Sequence, residues 1–329
     1  MPKLPPKRLI LKLGTQCNLG CVHCHQSQKS FKEHPGLLEW IRKEKFDRIT
    51  FSGGEPLLYF DLIKRYMTAL GHDQVYRIVT NGTLLTDEMA DFFNGYDMRF
   101  AISYDGEESG RDDALPIQWD VVRKIKNFGF ATALSNPDKH IREISEDIKK
   151  VLKAHDIHRS YPPEFIKVNF IHQTKDAPNI LFTKAVADRY CDEVLVQLEK
   201  VIALFSMDPK RYKSLAVNLL GPWIKDRSYI EHGLMCCNPR MLNVNLDGTM
   251  NLCPYGGRVV GDIEHGIDWG LVDSLVPERC RKCEYWTRCA CSCVANVTDH
   301  ECHIHKRMVP AVLALAKKYG VAEELEDIL

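Results

Sequence analysis

The sequence predicts an α/β protein built on a parallel sheet and followed by a small cysteine-rich domain. Three observations predict it. From Arg8 to about Phe170, short β-type runs alternate with segments of helical spacing. The 329 residues, 45% of them hydrophobic, are enough to bury a large core. The 13 cysteines are segregated: three lie at positions 17, 21 and 24, nine lie between 236 and 302, and only Cys191 falls in the interval.

The elements follow in order. Candidate strands are Arg8 to Leu13, Asp47 to Ser52, Tyr76 to Thr80, Met98 to Ser103, Ala131 to Leu134 and Ile166 to Ile171. Between them Leu37-Leu38-Trp40-Ile41, Leu62-Ile63-Tyr66-Met67-Leu70 and Val121-Val122-Ile125-Phe128 recur at three or four residues, as amphipathic helices do. Six strands in this alternation suit a parallel sheet, doubly wound or curled into a partial barrel, and in both arrangements ligands collect at the strands' C-terminal ends. Tyr161-Pro162-Pro163 interrupts the pattern, and Thr183 to Phe205 reads as one long helix with Val186, Tyr190, Val194, Leu195 and Leu198 on its apolar face. After Gly221-Pro222 the composition changes, which places a domain boundary at 220/221. Residues 232 to 305 are rich in Cys, Gly, His and Asn and poor in long periodic segments, as expected of a small domain held by metal. The tail from Arg307 to Leu329 has helical spacing.

Charge narrows the function. Lys plus Arg (44) balance Asp plus Glu (44), so no long-range field favours nucleic acid or an anionic membrane as partner. The N-terminus lacks the continuous apolar stretch of a signal peptide, and no apolar run is long enough to span a bilayer. A cytoplasmic location is expected. In that reducing compartment, 13 thiols point to metal ligation or redox chemistry rather than to disulfides.

Cys17, Cys21 and Cys24 directly follow the first strand, on one loop at the C-terminal end of the sheet. A four-iron cubane usually takes four cysteines, so three local ligands leave one iron open. A vacant coordination position is what permits chemistry at a metal. The alternative for the same spacing is a zinc loop completed by His23 or His25. The second strand closes on Phe51-Ser52-Gly53-Gly54-Glu55-Pro56, where two glycines admit close approach and a carboxylate can pair with an ammonium.

Cys-X3-Cys-X2-Cys at the end of a first strand, followed by Gly53-Gly54-Glu55-Pro56, resembles the radical S-adenosylmethionine superfamily. The resemblance implies a partial (β/α)6 barrel over residues 1–220, a [4Fe-4S] cluster on Cys17, Cys21 and Cys24, and S-adenosylmethionine with its amino group at Gly53, Gly54, Glu55 and Pro56. It implies further contacts at Asn81 in Thr80-Asn81-Gly82 and at Ser103 and Asp105 in Ser103-Tyr104-Asp105-Gly106. These segments also suit ordinary turns, since Asn-Gly and Asp-Gly are turn pairs. His23 stands where relatives commonly carry an aromatic near the adenine.

In the second region Cys237-X10-Gly248-X4-Cys253 is followed by Cys280-X2-Cys283-X5-Cys289-X3-Cys293 and Cys302. This is similar to the seven-cysteine pattern of the SPASM domain, which implies two auxiliary clusters within residues 221–329 and three clusters in all. Carried over by position, Cys253 and Cys293 with Cys237, Cys236 or both hold the first, and Cys280, Cys283, Cys289 and Cys302 the second. Cys291 is surplus, and His300, His303 and His305 read as solvated polar residues.

The family resemblance implies reductive cleavage of S-adenosylmethionine to a 5′-deoxyadenosyl radical, and hydrogen abstraction from a ribosomal peptide or protein with an oxidative outcome such as a crosslink. A dehydrogenase or epimerase of a sugar, aminoglycoside or other small metabolite is the alternative. A flavodoxin or ferredoxin-type reductant is expected. With only sixteen residues before Cys17, a separate leader-binding protein is the expected companion of a leader-dependent substrate.

Overall fold

The computed structural model of the chain describes residues 7–24, 26, 30–158, 165–170, 182–224, 240–253, 256–289 and 299–328. The chain groups into two compact units: Met1–Tyr104, Arg111–Ala131 and Cys236–Leu275 form the first, and Asp105–Gly110, Thr132–Met235 and Val276–Leu329 the second. This grouping does not follow a single cut at residue 220, because segment 236–275 joins the N-terminal strands.

In the first unit β1 (Arg8–Lys12), β2 (Arg48–Ser52), β3 (Val75–Thr80), β4 (Arg99–Ser103) and the Asn127–Ala131 part of β5 (Asn127–Leu134) pair in parallel, in that order. Helices α1 (Leu37–Glu44), α2 (Phe60–Leu70), α3 (Asp87–Gly95) and the short α4 (Trp119–Val122) connect them. Period-two burial sets the sheet: Leu9, Leu11 and Leu13 are fully buried on one face of β1, leaving Ile10 and Lys12 to the other. Period-3.6 burial sets the helices: α1 buries Leu37 and Ile41, and α2 buries Ile63, Tyr66 and Met67. Thr86 caps α3, its hydroxyl accepting from the Met89 N–H at 3.3 Å.

The expected strands are all present, but the expected helix across Val121 to Phe128 is not. It stops at Val122, turns through Ile125, and Asn127 and Phe128 already belong to β5. Val122 and Ile125 are buried as a helical stripe would be, and a turn buries them equally well.

The larger departure lies on the other edge of β1. There β7 (Met241–Asn245) pairs in parallel with β1, Leu9 opposite Leu242 and Lys12 opposite Asn245. The antiparallel strands β8 (Thr249–Cys253), β9 (Gly256–Asp262) and β10 (Gly266–Ile267) follow, and α8 (Trp269–Ser274) comes after them. Part of the region expected to be held by metal is therefore sheet. Leu242, Asn243, Val244 and Asn245 are all buried, so β7 is closed on both faces although its residues alternate apolar and polar. Gly248, at φ +86°, makes the β7–β8 turn in a conformation that favours glycine.

In the second unit the Thr132–Leu134 end of β5 pairs in parallel with β6 (Val168–Phe170). Its helices are α5 (Ile141–Ala154), α6 (Lys184–Met207), α7 (Pro209–Ile224), α9 (Glu278–Arg281), α10 (Asp299–Lys318) and α11 (Ala322–Ile328). Thr183 caps α6, whose buried stripe includes Ala187, Tyr190, Cys191, Val194 and Leu198, with Val186 and Leu195 only half-buried beside it. Gly221-Pro222 does not break the chain, because both residues lie inside the last turn of α7. His303 is not a solvated polar residue either. Its ring stands 2.6 Å from the Asp188 carboxylate, which also accepts from Arg307 at 2.9 Å, tying α10 to α6. Among the described residues no helix is long and apolar enough to cross a membrane.

Candidate metal and cofactor site

The backbone pairing of β1 with β2 continues past both strands. Leu13 N–H donates to Ser52 C=O at 3.0 Å, Gly54 N–H to Gly14 C=O at 3.1 Å, and Glu55 N–H to Gln16 C=O at 2.8 Å. Cys17 therefore begins its loop one residue after a fixed point. The glycines make this approach possible. A Cβ at Gly53 would collide with the Gly14 carbonyl oxygen, and one at Gly54 with the carbonyl oxygens of Thr15 and Gln16. Gly53 also sits at φ +150°. What these glycines admit closely is the chain itself, a neighbour that the sequence reading, with a ligand in mind, did not supply.

Cys17 and Cys21 are half-buried and Cys24 is exposed, with the Cys24 N–H donating to the Cys21 carbonyl at 3.1 Å. Two distant segments reach the sulfurs. The Asp112 N–H donates to Cys21 Sγ at 3.4 Å, and the Asn81 side-chain amide donates to Cys17 Sγ at 3.8 Å. The Asp112 carboxylate holds the same loop by accepting from the Gly20 N–H at 2.6 Å, a contact that holds its pKa below the usual carboxylate range. Burial pushes the Cys17 thiol up, the Leu19 N–H opposes that, and Glu55, Cys21 and Cys24 push it further up.

Among the described residues no three His, Cys, Asp or Glu side chains converge on one point as the ligands of a single metal ion do. The three thiols nevertheless share one electrostatic neighbourhood. A cubane takes each thiolate on a separate iron and is tuned by hydrogen bonds to sulfur, so three spaced thiols with amide donors aimed at two of them fit that group.

Glu55 is 1% exposed at the end of β2. Its Oε1 accepts from the Leu57 N–H at 2.9 Å and the Thr80 hydroxyl at 2.7 Å, and its Oε2 accepts from the Asn81 N–H at 2.7 Å. Burial raises its pKa to about 7, with the bonds from Asn81, Thr80 and Leu57 pulling the other way. A carboxylate has about four acceptor positions, so one on Oε2 is left for a cation. Pro56, buried, opens the 3₁₀ turn Pro56–Tyr59 that follows.

The remaining candidates are placed as follows. His23 is half-buried in the turn between Cys21 and Cys24. Ser103 ends β4 in the first unit, and Asp105 is buried in the second, its Oδ1 accepting from the Ala133 N–H at 2.7 Å. Cys253 ends β8 in the first unit, near the buried Lys12, whose pKa burial lowers and the Cys253 charge raises. In the second unit Cys280 is coupled electrostatically to Cys289 and Cys283, and Cys302 to Cys280 and Cys289. Burial raises both thiols, and Arg279 opposes this. Cys236, Cys237, Cys291 and Cys293 lie outside the described residues. Cys191, fully buried in α6, has its thiol pushed up to about 12 by burial, which suits packing rather than reaction. Sequence reasoning missed Asn18, Thr80, Thr83 and Asp112. Their polar roles leave no period, though Asn18 and Thr83 flank motif residues already singled out.

Residues 11–153 match the sequence model of the Radical SAM superfamily. A serine-type anaerobic sulfatase-maturating enzyme of Bacteroides thetaiotaomicron is 24% identical over 247 residues, covering 66% of this chain and 57% of that one. The PqqA peptide cyclase of Granulibacter bethesdensis is 23% identical over 363 residues, covering 94% and 91%. An uncharacterized protein of Methanocaldococcus jannaschii is 31% identical over 132 residues, covering 37% of this chain and 43% of that relative. The chain thus spans about half the length of two of these relatives. Among solved structures, native anSMEcpe with bound AdoMet and Cp18Cys peptide shares the fold, with a TM-score of 0.62, 18% identity, and coverage of 98% of this chain and 100% of that one.

Proposed function

We propose that this chain, whose residues 11–153 match the Radical SAM superfamily model and whose C-terminal cysteines resemble the SPASM pattern, modifies a ribosomal peptide or protein by hydrogen abstraction, with an oxidative outcome such as a crosslink. One observation carries this reading to the site: Asn81 holds Glu55 with its backbone N–H and reaches Cys17 with its side chain, so the cluster loop and the cofactor carboxylate are set by one residue. When bound at Cys17, Cys21 and Cys24, a [4Fe-4S] cluster supplies the electron that splits S-adenosylmethionine into methionine and a 5′-deoxyadenosyl radical.

The chain's own residues do the rest. Glu55 offers its remaining Oε2 position to the methionine ammonium, and Gly53 and Gly54 fix the strand end that carries it. Burial of that carboxylate keeps water from competing for the ammonium. His23, Ser103 and Asp105 are assigned to the adenosine side. The auxiliary clusters are assigned to residues 221–329, of which segment 236–275 groups with the N-terminal strands. Cys280, Cys283, Cys289 and Cys302 hold one cluster, and Cys253, Cys293 and Cys236 or Cys237 the other, giving about twelve irons. A cytoplasmic flavodoxin or ferredoxin-type reductant and a separate leader-binding protein are the proposed partners. The peptide substrate is supported by the PqqA peptide cyclase, which aligns over most of both chains.

The test is to incubate the reduced enzyme with candidate peptides carrying carbon-bound deuterium. Deuterium in 5′-deoxyadenosine and a peptide lighter by two hydrogens are expected. Transfer from a deuterated sugar or aminoglycoside but from no peptide overturns the substrate assignment.

A further inference from the structure

We propose that Asn81, Thr83 and Asn18 form a lock whose purpose is to aim an amide N–H at the sulfur of Cys17, and that Asn81 is a positioning residue of the cluster rather than a contact of S-adenosylmethionine. The proposal rests on the reading of Cys17 as a cluster ligand.

Which end of an Asn amide is nitrogen is decided by its partners. The Thr83 backbone N–H can only donate, and it points at one end of the Asn81 amide at 3.0 Å, so that end is Oδ1. The other end, facing Asn18 Oδ1 at 2.9 Å and Cys17 Sγ at 3.8 Å, is therefore the NH2 group. The same logic runs on round the ring. The Thr83 hydroxyl donates to Asn81 Oδ1 at 2.8 Å, and so it accepts from Asn18 Nδ2, also at 2.8 Å. Asn18 Oδ1 then faces Asn81 Nδ2, and the ring closes with every bond pointing one way. A single backbone N–H fixes all three side chains.

The ring also exhausts Asn81. A primary amide has two N–H donors and an oxygen with two lone pairs. Both donors are taken, by Asn18 and Cys17, and both lone pairs, by the N–H and hydroxyl of Thr83. Nothing is left for a ribose or a carboxylate. Asn81 is 7% exposed and Thr83 8%, so water does not offer an easy substitute for either partner. An amide N–H on a cluster sulfur stabilises the reduced, more negative state and raises the potential.

The test is a redox titration followed by electron paramagnetic resonance on the anaerobically reconstituted protein. The relevant cluster is identified as the one whose signal changes on adding S-adenosylmethionine. Asn81→Ala should keep its iron content and its cofactor affinity, and move that midpoint to more negative potential. A tenfold change in the one-electron equilibrium reads as about 59 mV. Thr83→Val, which keeps the backbone N–H but opens the ring, should shift it less and in the same direction, and Thr83→Ser should restore it. An unshifted midpoint in Asn81→Ala, or cofactor affinity weakened at least about tenfold at an unshifted midpoint, overturns the proposal. If Asn81→Ala does not fold, an unshifted Thr83→Val does the same. Iron content unchanged by replacing Cys17, Cys21 and Cys24 together sinks the ligand reading itself, which is a separate failure.

Discussion

The sulfurs of the first cysteine loop are reached by groups far along the chain, Asn81 for Cys17 and Asp112 for Cys21, at separations of 64 and 91 residues. Around the second set the backbone bonds are short-range. Cys283 N–H donates to the Cys280 carbonyl at 3.1 Å and Cys289 N–H to the Tyr285 carbonyl at 2.7 Å. The first loop is an outgrowth of a sheet, whereas in the second set Cys280, Cys283 and Cys289 lie on a short helix and turns, Cys302 lies on α10, and the thiols are coupled to each other and to Arg279. Tertiary structure places the first set of ligands, and metal binding is expected to place the second.

The sharpest way to break this comparison is to remove the ligands of each region in turn. Replacing Cys17, Cys21 and Cys24 by Ala should abolish 5′-deoxyadenosine formation, remove about four irons, and alter unfolding stability by less than about 1 kcal/mol. Replacing Cys280, Cys283 and Cys289 should strip hydrogen-exchange protection from residues 276–289, with loss of a similar amount of iron. Equal loss of protection around residues 17–24 in the first variant would erase the distinction.

Next in size is Glu55→Ala. Leu57 N–H, the Thr80 hydroxyl and Asn81 N–H would lose their shared acceptor. The expected cost is about 2–4 kcal/mol in chemical unfolding, with cofactor affinity down at least about tenfold by calorimetry. An unaltered affinity would place the ammonium elsewhere.

Glu55 also carries a pH signature. Its folded pKa, about 7, lies above the unfolded value of 4.5. Below the unfolded value both states are protonated. As pH rises from there to about 7 the unfolded state loses its proton first, so stability falls, and above that it levels off. The loss is on the order of 3 kcal/mol, read as the difference between the protein and Glu55→Gln in urea unfolding. Cofactor affinity should run the opposite way and rise with pH, because the ammonium needs the ionised carboxylate. A flat difference would show that burial leaves the folded carboxyl titrating as it does in the unfolded chain.

The smallest effect belongs to Cys191→Ala, which should leave cofactor cleavage unchanged and cost about 1 kcal/mol. Slowed cleavage would bring that thiol into the chemistry.

Much of this was legible in sequence because period and spacing are local. The six parallel strands, the long helix after Thr183, the cysteine loop and Gly53-Gly54-Glu55-Pro56 could all be read directly. What escaped had a physical reason in each case. Strand β7 does alternate, as Leu242-Asn243-Val244-Asn245, but it lies in the cysteine-rich stretch whose composition pointed to metal rather than to sheet. Val122 and Ile125 carry a helical spacing that a turn satisfies. Pro222 looked like a breaker but sits in a helix whose last turn tolerates it. Asp112 serves the loop from a segment with no pattern of its own, and its value to Gly20 and Cys21 exists only after folding.

The pairing of β1 with β7 has a consequence for how the protein is made. Arg8 leaves the ribosome early, but its partner Met241 follows only after more than two hundred further residues. At typical bacterial and eukaryotic elongation rates that interval is about 10–50 s. Throughout it one edge of β1 carries open N–H and C=O groups, a template for any passing strand. A chain cut before residue 241 would keep that edge for good, so release of the N-terminal two-thirds alone should yield aggregates. Slow elongation over residues 200–240 should lower the yield of native protein, and a chaperone that shelters β1 should raise it.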